Sequence, residues 1–454
     1  MNVKVKNPKI IKLKYRDPFK VFERIYEEYE NCFLLESKGE SDSSLSRYSF
    51  IGFDPKYIIR SYGKSVEIDD GSIEKFRTNN PFNDIKKILK SNFNGHIFSG
   101  GLVGYVSYPA ARFFLPLDLK RGSFPDYEFG LFLDSIIFNH LNKKCYYVTI
   151  NDNRIEEVKK IINEEPTHDR FSFKNKGKFY SKKEFEDMVR KVKHKIKKGE
   201  IFQGVISNAY EYELKGSKIE FYKILRKINP SPYMYHLKFK KREIIGSSPE
   251  MLVRIENNKI KTFPIAGTRP RGRNSKEDKK LEKELLNDEK ELAEHLMLVD
   301  LARNDVGMVS EIGTVKVPEF MIVKKFSHVQ HIVSKVVGKL SKDKTAVDAF
   351  LSMFPAGTVS GAPKIRAMEI IEEIEKKPRD VYAGAVGYFS LNGNADFAIA
   401  IRTLISQNSY GRIQAGAGIV HDSIPENEYL ECENKARALI DSLHLVENHD
   451  TNNR

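Results

Sequence analysis

Two rhythms of apolar residues alternate along the chain. Residues 19–29 carry helical spacing, whereas Cys32-Phe-Leu-Leu-Glu-Ser37, 46–52 and 57–62 are brief apolar runs that read as strands. A polar stretch, 162–178, reads as a linker. Ser181-Lys-Lys-Glu184 then forms a capping-box signature ahead of Phe185, Met188, Val192 and Ile196, which share one stripe of a helix ending at Gly199. Strand-like runs follow at 201–205, 233–239, 243–245 and 259–264, then a long helix over 288–305, strands over 315–323 and 329–337, and helices over 348–353 and 364–376. In the last of these Ile365, Met368, Ile371 and Ile374 are expected to face inward. Segments 384–391 and 397–405 flank Asn392-Gly393 and predict a hairpin, and a final helix runs over 426–444 with a frayed polar tail. Strands and helices mixed in this order, without strict βαβ alternation, predict an α+β fold.

Composition narrows the class. A chain of 454 residues with 40% apolar and 11% aromatic content has ample material for a core. The three cysteines, Cys32, Cys145 and Cys432, are far apart and include no CxxC, which points to a reducing compartment and excludes a disulfide framework. No apolar run reaches membrane-spanning length and the first residues lack a signal-peptide core, so the expected location is the cytoplasm. The net charge of +14 comes from lysines interleaved with glutamates on helix faces, with no nucleic-acid-binding pattern among them. That charge reads as a solvated surface, with neither nucleic acid nor membrane as partner.

Candidate chemistry starts in the 288–305 helix, whose apolar residues Leu292, Leu296, Leu298, Val299 and Leu301 occur nearly all round and predict a largely buried element. Glu291 and Glu294 stand on one face of it, and two buried like charges are costly unless something positive lies between them. The last helix repeats the pattern with Glu428 and Glu431, and Lys435 lies one turn further on the same face. Spacing leaves two readings open: two solvated acidic faces, or four carboxylates converging on one hard divalent cation such as Mg²⁺. Residues 354–364 form a loop entering a helix, where backbone N–H groups could bind an anion, and the glycines of 414–423 let backbone approach a ligand. His328 and His331, oddly spaced in a strand, should face opposite sides. Gly100 to Tyr108 has no phosphate-loop spacing and reads as close strand packing.

These motifs, taken together and in order, resemble the chorismate-utilising enzymes, in particular their anthranilate synthase branch. Leu34-Leu-Glu-Ser37, Ser46-Arg-Tyr-Ser49, Gly199-Glu-Ile-Phe-Gln203, Asn229-Pro-Ser-Pro-Tyr-Met234, Gly246-Ser-Ser-Pro-Glu250, Pro264-Ile-Ala-Gly-Thr-Arg269, the 288–305 stretch, Phe354-Pro-Ala-Gly-Thr358, Ser360-Gly-Ala-Pro-Lys364 and Asn434-Lys-Ala436 carry the resemblance. It implies antiparallel sheets packed in the interior with helices outside. It further implies an N-terminal regulatory region over 1–165 and a catalytic region over 178–446, closely packed together. By resemblance Glu291, Glu294, Glu428 and Glu431 hold Mg²⁺, while Thr358, Tyr382, Arg402, Gly416, Gly418 and Lys435 hold the carboxylates of chorismate. Glu250 matches the general acid, His331 the histidine implicated in pyruvate elimination, and Thr268 lines the reacting ring. The implied reaction adds ammonia to chorismate and expels pyruvate.

Two positions separate this branch from its relatives. Isochorismate-forming enzymes carry a lysine base where this chain has Gln203, and many aminodeoxychorismate synthases carry a lysine nucleophile where it has Ala266. No Gly-x-Cys-x-Gly elbow occurs, so a separate glutamine amidotransferase subunit is the expected source of ammonia. Glu36, Ser37, Asn229, Pro230, Ser231, Tyr233 and Met234 resemble a tryptophan feedback site. One departure stands after Gln203, where the chain reads Gly204-Val-Ile-Ser-Asn-Ala-Tyr210 and relatives usually have an arginine near the end of that strand. For Tyr382 and Arg402 to act together, the hairpin between them needs a three-residue loop ending at Asn394, or a bulge, because a two-residue Asn392-Gly393 turn would put them on opposite faces.

Overall fold

In a computed structural model the chain builds two large antiparallel sheets that face each other. The structure describes residues 8–38, 47–89, 98–150, 153–163, 169–325 and 329–451, with side chains to residue 447. Ser46 and His328 of the sequence reading lie outside the described residues. The first sheet runs Lys9–Leu13, Lys144–Thr149, Asp134–Asn139, Tyr48–Phe53, Asn31–Glu36, Tyr233–Phe239, Arg242–Ser248, Thr403–Gln407, Tyr410–Ile419, Gln203–Lys215 and Ser172–Lys178, with Gly361–Ala362 also paired to Gln203–Lys215. The second runs Ile265–Pro270, Val329–Lys339, Lys259–Thr262, Met251–Glu256, Ala395–Ile399, Ala385–Ser390, Gly101–Val106, Tyr127–Phe132, Ile58–Tyr62, Ser65–Asp69 and Ile73–Arg77, with Lys316–Lys325 on Val329–Lys339.

Between the sheets lies an aromatic core, in which Phe33, Phe50, Tyr235 and Phe239 of the first meet Val103, Tyr105, Phe132 and Tyr388 of the second. Each sheet covers its outer face with helices. Pro18–Glu28, Lys182–Lys197, Ile219–Ile228 and Pro425–Thr451 pack on the first, and Glu289–Gly307 and Ala346–Met353 on the second. Strands buried on both faces lose the polar alternation of a half-exposed sheet. Gln203–Lys215, buried at nearly every position, therefore reads in the sequence as a short run at 201–205 although it spans 13 residues.

Residues 162–178 are not simply a linker: Ile155–Asn163 is helical, and Ser172–Lys178 is an edge strand paired with Gln203–Lys215. Its lysines face solvent, as an edge strand's should, and they disguise it in the sequence. The 289–307 helix is half-buried, with Leu296 45% exposed, because only one side meets the sheet. Ile365 is exposed rather than inward, and the last helix continues to Thr451. The Ser181 capping box forms both of its reciprocal bonds. At Gly104 an added Cβ would lie 1.9 Å from the carbonyl oxygen of Glu128, which is the close strand packing expected of the 100–108 glycines.

Candidate active site

Two of the places where the chain passes from one sheet to the other position the central residues. Arg242–Ser248 belongs to the first sheet and Met251–Glu256 to the second, so Glu250 sits at the crossing. Antiparallel to it, Ala395–Ile399 leaves the second sheet and Thr403–Gln407 joins the first, with Arg402 at that crossing in a left-handed backbone conformation. The crossings are laced together: Ile399 N–H donates to the Glu250 carbonyl at 3.0 Å, and Ser247 N–H to the Arg402 carbonyl at 3.1 Å. The hairpin pairs Ala385 with Ile399 and Phe389 with Ala395, and Ser390 N–H donates to Asn394 O. Its loop is thus Leu391 to Gly393, one residue earlier than expected, and still three residues long. Tyr382 and Arg402 keep the same parity, and each feels the other's charge.

Glu250 is only part-exposed. Thr358 donates its hydroxyl to Oε1 at 2.8 Å, and Lys435 is near enough to act electrostatically. Burial pushes the carboxyl up to about 7 against both of these, so the acid still holds a proton near neutrality. The Tyr382 hydroxyl abuts Gly416, where a Cβ would come within 2.6 Å of it. Lys435 donates to the Gly416 carbonyl at 3.0 Å and pairs with Glu431 at 2.6 Å. At Gly418 a Cβ would meet the Gln203 amide at 2.9 Å, and that amide donates to Glu294 at 3.0 Å.

The second sheet supplies the opposite wall. Thr268 and His331 are direct partners across the ladder, with Oγ1 3.0 Å from Nδ1. Nδ1 also lies 2.9 Å from the Gly267 carbonyl. A carbonyl can only accept, so Nδ1 carries the proton and Nε2 is the basic nitrogen of the neutral ring. Burial lowers the pKa of His331, while the Gly267 carbonyl and Glu291 act to raise it.

Glu294 and Glu428 both have raised pKa values, through burial first. The charges of Glu291 and Glu431 add to this at Glu294, and that of Glu431 at Glu428. The two helices therefore do bring their acidic faces together. By donor chemistry, four carboxylates linked in this way, Glu291 to Glu294, Glu294 to Glu431 and Glu431 to Glu428, fit a hard divalent cation. Their rotamers are not those of ligands. Glu291 pairs with Arg269 at 3.2 Å, Glu294 accepts from Gln203 and Glu431 pairs with Lys435; among the described residues no three His, Cys, Asp or Glu side chains form a metal-holding group.

A separate cavity of about 640 Å³ opens between the sheets. Glu36, Ser37, Tyr233 and Met234 line it, whereas Asn229, Pro230 and Ser231 do not. Asn229 and Ser231 instead brace Ser247 from behind, at 2.9 and 3.0 Å. The Glu36 carboxylate is already engaged by Tyr222 at 2.8 Å and by a two-pronged Arg226. Sequence reasoning missed Arg254 and Asp396, which line the cavity from the second sheet. Charges facing inward in Met251-Leu-Val-Arg-Ile-Glu256 and Ala395-Asp-Phe-Ala-Ile399 were the available signal. In the Gly204–Tyr210 run, which lacks the expected arginine, Asn208 bonds the backbone of Tyr180, and none of these residues lines this cavity.

The match to known proteins is extensive. A model of chorismate binding enzymes matches residues 30–441. The chain belongs to this family. The anthranilate synthase component 1 of Methanothermobacter marburgensis is 58% identical, covering 100% of this chain and 98% of the relative. The crystal structure of anthranilate synthase component I from Streptococcus pneumoniae superposes with a TM-score of 0.77 at 37% identity, covering 87% of this chain and 92% of that one. The menaquinone-specific isochorismate synthase of Escherichia coli shares the fold, with a TM-score of 0.73 at 18% identity over 97% of this chain and 95% of its own.

Proposed function

We propose that this chain is the large subunit of an anthranilate synthase, adding ammonia at C2 of chorismate and eliminating pyruvate. The observation that carries the chemistry is Glu250, a carboxyl raised to about 7 beneath Thr358 and Lys435, because loss of the C4 hydroxyl needs a proton donor at neutral pH. Arg402, Lys435, Thr358 and Tyr382, with the amides at Gly416 and Gly418, hold the two carboxylates of the substrate. Ammonia attacks C2 as the C4 hydroxyl leaves with the proton of Glu250. The ammonium formed at C2 gives up its surplus proton to solvent. His331 then removes the C2 proton through Nε2, the C3–O bond breaks and the ring becomes aromatic. The released enolpyruvate takes up a proton at its methylene carbon to become pyruvate. Thr268 fixes the imidazole beside the ring.

Glu291, Glu294, Glu428 and Glu431 would hold Mg²⁺, some directly and some through water. The ion supplies a positive charge to the ring carboxylate. Gln203, a neutral amide bonded to Glu294, cannot act as the base that isochorismate formation requires. Ala266 offers no nucleophile and leaves room for ammonia. Burial pushes all three cysteine thiols up to about 12, far from a reactive thiolate. Ammonia therefore comes from a separate glutamine amidotransferase subunit. The inter-sheet cavity takes tryptophan as feedback inhibitor, with Glu36, Ser37, Tyr233 and Met234 around it. No helix among the described residues is long and apolar enough to cross a membrane, and a cytoplasmic location accords with that.

Incubating the purified chain with chorismate, Mg²⁺ and ammonium, then identifying the product, tests this reading. Anthranilate supports it; aminodeoxychorismate, isochorismate or no turnover overturns it. Adding tryptophan to the assay without loss of rate would remove the feedback part alone.

A further inference from the structure

The active site straddles the two sheets. Gln203, Gly416, Gly418 and Lys435 belong to the first sheet or the helix on it; Thr268, His331, Glu291 and Glu294 belong to the second sheet or the helix on it. Glu250 and Arg402 occupy the crossings between them. The angle between the sheets therefore sets the distance between the halves of the site, and it acts first on the acid and on a carboxylate-binding cation.

One polar cluster ties the sheets across the cavity. Tyr233 of the first sheet donates its hydroxyl to Asp396 Oδ1 of the second at 3.0 Å. Arg254, the direct ladder partner of Asp396, donates Nη2 to the same hydroxyl at 3.2 Å and pairs with Asp396 Oδ2 at 2.8 Å. Both ionic side chains are almost enclosed, at 12% and 14% exposure, and Arg254 Nε is buried without a partner. Each member of the cluster is only a few residues from a crossing. Tyr233 is the ladder partner of Ser248, two residues before Glu250. Arg254 follows Glu250 by four residues in the strand that leaves that crossing, and Asp396 stands in the strand that leads through Ile399 to Arg402.

We infer that the Tyr233–Asp396–Arg254 cluster is a clamp through which occupancy of the inter-sheet cavity is transmitted to Glu250 and Arg402. This rests on the reading of the cavity as a tryptophan site. A ligand beside the clamp changes the cost of keeping Tyr233 on Asp396, and so shifts the sheets between a geometry that closes the site on chorismate and one that holds its halves apart. These three are positioning residues, since none of them touches the reacting atoms. A hydrogen bond to an ionised group is strong enough to carry coupling of the usual size between two sites.

Tyr233→Phe removes the clamp hydroxyl and keeps the ring in the cavity wall and the Arg254–Asp396 pair. The quantity to measure is the factor by which saturating tryptophan raises KM for chorismate, alongside the tryptophan Kd of the free protein by calorimetry. The clamp predicts that this factor falls by about tenfold in Tyr233→Phe while Kd stays within about threefold, tenfold being about 1.4 kcal/mol of coupling. Arg254→Lys, which retains the charge but not the reach, should lower the factor by a smaller amount. A factor unchanged in both variants, or a Kd that weakens in step with inhibition, overturns the clamp. Failure of the wild-type protein to bind tryptophan overturns the cavity assignment beneath it, and calorimetry on that protein separates the two failures.

Discussion

Glu250 shows how much one side chain depends on its surroundings. Burial raises its pKa, and the Thr358 hydroxyl, by donating to the charged form, holds the rise back. In the general-acid role proposed for it Glu250 works when protonated, so kcat/KM should fall as pH climbs through about 7. Thr358→Val should move that falling limb to higher pH and also raise KM, which a pH–rate profile of the pair would display. Glu250→Gln should cost about 10²–10⁴-fold in kcat with chorismate binding kept. At His331 the roles are reversed. His331→Asn should spare ammonia addition and block pyruvate release, so that product analysis finds an aminated, non-aromatic intermediate accumulating. Motif resemblance is what proposes these residues for these roles. Their protonation was not legible in the sequence, because it depends on the enclosure of Glu250 and the orientation of the His331 ring toward Gly267, which are tertiary facts.

The helix Glu289–Gly307 is positioned by His295 as well as by its apolar residues. His295 is fully buried, its Nε2 is 2.7 Å from the Ser334 hydroxyl, and Ser334 lies three residues along the strand from His331. Burial lowers the His295 pKa to about 4, below its ordinary 6.5. The unfolded chain therefore binds the extra proton first, and the stability contributed by the neutral ring is present above about 6.5 and lost as pH falls toward 4. Denaturant titrations across that window should show the loss, and His295→Gln should flatten it. The same helix and the last one place the carboxylates, and Glu294→Gln should raise the Mg²⁺ concentration for half-maximal activity by about tenfold or more, read from activity against Mg²⁺. The i, i+3 spacing revealed each acidic face. Helical spacing also put Lys435 within reach of Glu431, but it could not reveal that Arg269 and Gln203 occupy Glu291 and Glu294, since both come from distant strands.

At the scale of the whole molecule, the sheets are joined by buried ions. Glu128, fully buried in the second sheet, accepts from Arg60 at 2.6 Å, from Arg242 of the first sheet at 2.8 Å and from Tyr105 at 2.9 Å. These donors hold its pKa below the ordinary value even though burial pushes it up. Glu128→Gln leaves two buried guanidinium groups short of a counter-charge and should destabilise the fold by roughly 3–5 kcal/mol in equilibrium unfolding. The sequence announced an α+β chain, but strand order was beyond it. Nothing local in Asn31–Glu36 says that its neighbours are Tyr48–Phe53 and Tyr233–Phe239, or in Gly101–Val106 that it lies beside Ala385–Ser390.

That interleaving has a consequence for how the protein comes into being. Gly101 waits for Ser390, and Glu36 for Met234, so much of the interior pairs residues made far apart in time during synthesis. Long loops must close before such contacts reward the chain, which makes folding slow. Neither sheet can be completed until the ribosome has released nearly the entire polypeptide. A nascent chain halted before Ala385–Ser390 would lack a central strand of the second sheet, leaving Gly101–Val106 with an open edge. Such truncated chains should be captured by chaperones or degraded rather than retained as a partly working enzyme.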